Sequence, residues 1–102
     1  MTKSVQKNLP TTAEIQAWLV SYLAELLKIE PDKVYVNIPF NRYGLDSSAA
    51  VGMTGDLEEW LGYELDPTLI YDYPTIEALA GHLSEENKVK AYNTNTSPKL
   101  ED

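Results

Sequence analysis

Between Ile15 and Leu27, seven large apolar side chains (Ile15, Trp18, Leu19, Tyr22, Leu23, Leu26 and Leu27) recur at i, i+3, i+4, i+7, i+8, i+11 and i+12. With about 3.6 residues per turn, that spacing lines them along one side of a helix and leaves the other side polar. No alternating strand pattern accommodates it. Thr11 opens the segment and Glu14 follows three residues later, the pair that forms a capping box over two orphaned backbone donors. Pro31 stops the helix near Lys28 and Ile29, because a proline inside a helix clashes with the preceding turn and lacks a donor.

Two further segments carry the same period. A second helix is expected after Gly44-Leu45-Asp46-Ser47 and ends at about Leu61, where Gly62 tolerates the left-handed C-terminal conformation. Ala50, Met53, Thr54, Leu57 and Leu61 form its inner face, with Trp60 at the border. The last helix is expected to start near Pro74, with Ile76, Leu79, Ala80 and Leu83 inward. Leu69 to Asp72 adds at most a short turn. The connection from Glu30 to Asp46 exceeds the roughly 12 to 15 residues usual for loops, so it is functional or pinned by its own side chains. Val34, Val36, Ile38, Phe40 and Tyr43 are the available pins. Three amphipathic helices without strands specify an all-α fold, a small three- to four-helix bundle with a long loop between helices one and two. The flanks are polar and too poor in apolar groups to repay the entropy of ordering them. The expectation is a domain over residues 11–84 between flexible tails at 1–10 and 85–102.

Composition excludes several functions. Sixteen acidic against eight basic residues give a formal charge of −8, which repels nucleic-acid backbones and anionic lipid, so the partners should be basic proteins. There is no cysteine, hence no disulfide, thiolate nucleophile or sulfur-bound metal. No apolar run approaches the roughly 20 residues needed for membrane insertion, and the first nine residues lack a signal-peptide core. A cytoplasmic, monomeric protein without a metal is expected. The single histidine, His82, has no adjacent base and nucleophile and reads as an exposed residue or a dipole partner late in the last helix.

Chemistry concentrates at Ser47. A hydroxyl at the start of a helix lies where unpaired N–H groups and the positive end of the dipole favour an attached phosphate. The simpler reading of the same residues is that Asp46 or Ser47 merely caps the helix. The wider sequence weighs against leaving it there. From Ile29 to Leu83 it resembles the acyl carrier domains of modular polyketide synthases, with Phe40 before the site, Gly44-Leu45-Asp46-Ser47 at it, and Tyr73-Pro74-Thr75-Ile76 at the last helix. The resemblance implies that a phosphopantetheinyl transferase transfers 4'-phosphopantetheine from coenzyme A to Ser47, with Asp46 helping that enzyme to orient its substrate. The thiol of the arm then holds acyl groups, and the carrier itself catalyses nothing.

The same resemblance implies that helix two faces the partners, namely acyl-loading, ketosynthase and tailoring enzymes or synthase domains, through Leu45, Val51, Glu58 and Glu59. Here the chain departs from the family, because Ser48 stands where Leu or Met is usual. Ser48, Gly52 and Gly55 form a strip of small residues beside Ser47, a further candidate for partner contact. Two glycines inside a helix cost roughly 2 kcal/mol relative to alanines. Two rival readings remain: a peptidyl carrier of a nonribosomal or hybrid pathway, and an acidic docking bundle that is never modified at Ser47.

Overall fold

The structure is a computed structural model and describes residues 9–96. Of the tails expected at 1–10 and 85–102, residues 1–8 and 97–102 lie outside the described residues. Four helices follow in order: α1 (Thr12–Leu27), α2 (Ser47–Leu61), the short α3 (Leu69–Asp72) and α4 (Ile76–Thr96). The all-α expectation holds. Thr11 caps α1 through the reciprocal bonds read from the sequence, its hydroxyl accepting from the Glu14 amide at 3.2 Å while the Glu14 carboxylate accepts from the Thr11 amide at 2.9 Å. At the other end Lys28 takes the left-handed conformation with φ 60°. Gly62 does the same for α2 with φ 87°, a conformation that costs glycine little.

The core is the set of stripes turned inward. Ile15, Leu19 and Leu23 of α1 meet Met53, Leu57 and Leu61 of α2 and Ile76, Leu79, Ala80 and Leu83 of α4, all buried. Helix α1 packs most extensively on α4. Leu26 departs from the expected stripe and is exposed, its place inward being taken by Ala24.

The long connection is pinned, as its apolar residues required. Val34 and Phe40 are buried, and Val36 and Tyr43 pack against the core. The Tyr43 hydroxyl accepts from the Tyr35 amide and donates to the Tyr35 carbonyl, closing the loop on itself. Backbone bonds then tie it to the start of α4: the Phe40 amide donates to the Pro74 carbonyl at 2.7 Å and the Glu77 amide to the Val36 carbonyl at 2.9 Å. The segment thereby becomes a wall of the bundle.

The far boundary of the domain differs from expectation. Helix α4 begins at Ile76, two residues past Pro74, with the Thr75 hydroxyl capping the Ala78 amide, and it continues well past residue 84 to Thr96. Asn87 explains the continuation. Only 4% exposed, it donates to the Pro10 carbonyl at 2.8 Å and accepts from the Tyr63 hydroxyl. Pro10 and Asn87 are thereby tied to each other and to Tyr63. His82 now sits within the helix, stacked on Tyr73 with ring centroids 4.2 Å apart, and is neither a free surface group nor near the C-terminus of the helix.

Candidate functional site

Ser47 is the first residue of α2 and is exposed. The cap preceding it is Asp46, whose Oδ1 accepts from the Ala49 amide at 2.9 Å. This division of labour matters. Asp46 does the capping, so the Ser47 hydroxyl is left without a hydrogen bond among the described residues. The Ser47 and Ser48 amides remain at the open, positive end of the helix. Gly44, with φ 79°, makes the turn that delivers the chain to this point, and a side chain there would be strained.

Beside Ser47 lies a pocket of about 430 Å³ whose lining includes Phe40, Leu45, Ala50, Ile70, Tyr71 and Pro74. Its floor is buried apolar surface from the connection, α2 and α3, while Tyr71 stands 66% exposed at its edge. Trp18, Tyr22 and Trp60 are the bulkiest rings on α1 and α2 and stack on one another. The structure places those rings elsewhere, on the α1 side of α2, and builds the pocket from residues of several separate segments.

The candidate partner residues fall into distinct environments. Val51 is 65% exposed and Glu59 is exposed, whereas Leu45 is half-buried against the core. Glu58 is committed inward, its Oε2 accepting from the Leu65 amide at 2.8 Å, so it secures the α2–α3 loop before it offers anything to a partner. Asp66 pins the same loop, accepting from both the amide and the hydroxyl of Thr68, which lowers its carboxyl below the usual range. Ser48 and Gly52 are exposed and Gly55 is half-buried, so the small-residue strip is real. A Cβ added at Gly52 would lie 3.9 Å from the Tyr22 hydroxyl, an ordinary contact, and one at Gly55 would meet nothing. No internal packing demands either glycine.

The site fits a phosphopantetheine group. A phosphodiester on Ser47 displaces no existing hydrogen bond, meets free helix amides, and has an apolar pocket alongside. The chemistry of Ser47 and the pocket agrees with the comparisons. The phosphopantetheine attachment site family matches residues 17–83. The acyl carrier protein TtuC of Teredinibacter turnerae is 39% identical over 70 residues, covering 69% of this chain and 80% of that protein. A free-standing peptidyl carrier protein from Acinetobacter baumannii is 41% identical with a TM-score of 0.70, covering 74% of this chain and 95% of the other. An acyl carrier protein from Anabaena with a variant phosphopantetheinylation-site sequence is 38% identical with a TM-score of 0.74, covering 85% and 99% respectively. Large polyketide synthases match too, and this chain spans only 2% of one from Bacillus subtilis. With two thirds of its length inside the family's limits and the full helical bundle in common with solved carriers, the chain belongs to the phosphopantetheine-bearing carrier proteins.

Proposed function

We propose that Ser47 is the attachment residue and that the chain carries acyl intermediates for enzymes of a polyketide- or fatty-acid-type pathway in the cytoplasm. In the modification, Ser47 Oγ bonds to the pantetheine-bearing phosphorus of coenzyme A, the pyrophosphate bond breaks, adenosine 3',5'-bisphosphate leaves, and the hydroxyl proton passes to the phosphopantetheinyl transferase. The bound arm supplies a thiol that holds cargo as a thioester. The protein's own residues do three things. Asp46 caps α2 and presents a carboxylate to the transferase beside the serine. The α2 amides stabilise the phosphodiester charge. Val51 and Glu59 meet partner enzymes, which include acyl-loading, ketosynthase and tailoring activities. Carrier domains of this family have no catalysis of their own, and we extend that to this chain.

The single observation that carries the reading is the exposed Ser47 hydroxyl, free of hydrogen bonds at the N-terminus of a helix already capped by its neighbour. Peptidyl cargo remains the second reading, supported by the likeness to the Acinetobacter carrier. Intact mass after incubation with coenzyme A and a promiscuous transferase tests the assignment. Wild type and Ser48→Ala should each gain one phosphopantetheine and Ser47→Ala none. A folded wild type that gains no mass with several transferases would leave Ser47 as part of a helix terminus and favour the acidic docking bundle.

A further inference from the structure

The flank of α2 that faces α1 carries a second surface with no part in holding the arm. Trp18 stacks on Tyr22 with centroids 5.1 Å apart and on Trp60 at 5.5 Å, so three rings form a column bridging the two helices. Trp60 keeps 40% of its surface exposed. Beside the column a hollow of about 180 Å³ is lined by Trp18, Ser21, Tyr22 and Glu25. Neither α1 nor α2 contains a lysine or arginine, and Glu25, Asp56 and Glu59 form no ion pair among the described residues.

Ring faces are electron-rich and attract cations, and the unpaired carboxylates around them add charge of the same complement. A planar guanidinium satisfies both, stacking on an aromatic face while pairing with a carboxylate. We propose that the Trp18–Tyr22–Glu25 hollow docks an arginine of a basic partner protein, with Trp60 covering the residues beside it. Asp56, bonded to Tyr22 at 2.7 Å, lies nine residues beyond Ser47, about 14 Å along the helix. A partner seated here leaves Ser47 open to enzymes. The surface is therefore a holding contact, separate from the one that works on the arm, and it does not depend on modification of Ser47.

The test titrates a synthetic amphipathic helix, with arginines and leucines on one face, into the full chain while tryptophan fluorescence is followed. Saturable binding is expected, weakened about fivefold by Glu25→Gln or Trp60→Ser, the scale of one exposed ion pair or one cation–π contact. A peptide with citrulline in place of arginine should bind more weakly still. Ser47→Ala should bind as wild type, and Glu25→Gln should still accept phosphopantetheine at the wild-type rate, which separates this proposal from the assignment of Ser47. Unchanged affinity in both Glu25→Gln and Trp60→Ser overturns it. So does an equal loss with Glu85→Gln, which would mean diffuse charge attraction, or a dimer of the free chain abolished by Trp60→Ser, which would make the occupant a second copy.

Discussion

The two ends of α2 are built on opposite terms. At the Ser47 end the side chains are short and exposed, one carboxylate caps the helix, and the Ser47 hydroxyl makes no hydrogen bond among the described residues. At the far end three polar side chains are committed to the fold: Glu58 holds the Leu65 amide, and Tyr63 meets Asn87, which in turn holds the Pro10 carbonyl. The contrast shows stability invested away from Ser47. Little of the fold leans on that serine, which suits the modification proposed for it.

Breaking the far end should have the larger effect. Asn87→Ala removes the partner of the Pro10 carbonyl and one bond of the Tyr63 hydroxyl from a buried site. A loss of about 1–3 kcal/mol is expected in urea unfolding, with the extent of Ser47 modification unchanged in the folded protein. At the other end Asp46→Ala removes only a cap, worth about 1 kcal/mol, or roughly 4–8 °C in thermal midpoint for a domain of this size. Asp46→Asn sharpens the comparison, since Asn caps equally well. It should melt like wild type yet accept phosphopantetheine more slowly, because the carboxylate offered to the transferase is gone.

The smallest effect concerns the Tyr22–Asp56 bond between the two ends. Burial, reinforced by the hydrogen bond to Asp56 and its charge, pushes the Tyr22 phenol up to about 12 from an ordinary 10.0. A pKa raised on folding contributes stability that is complete below the unfolded value and fades as pH rises through the folded one. Wild type should therefore lose stability between about pH 10 and 12 more steeply than Tyr22→Phe in thermal melts across that range. Tyr63, raised first by burial and then by Glu86, acts in the same direction in both proteins and cancels in the difference.

How much of this was readable from the chain depends on how local the cause is. The Thr11–Glu14 box, the Gly62 terminus and, apart from Leu26, the inward faces of all three long helices follow from residues a few positions apart. The extension of α4 does not. Its buried position past Leu83 is held by an asparagine whose partners lie 77 and 24 residues away, so the segment reads as polar tail until those partners are known. Glu58 misleads for the same reason: a glutamate on a helix looks like solvated charge until the loop that it holds folds back onto it. The pocket at Ser47 is assembled from several separate segments, and no spacing announces it.

The packing of α1 on α4 also sets an order of events during synthesis. When Ser47 leaves the ribosome, α1 has no cover for its apolar stripe, and Ile70 and Pro74, which line the pocket beside the serine, have yet to emerge. Contacts between segments so distant in sequence close late, after the loop entropy between them has been spent. At about 5–20 residues per second, that interval lasts seconds. A transferase that recognises the folded site proposed at Ser47 would thus act only after the last helix has docked, and a half-made chain would not be primed.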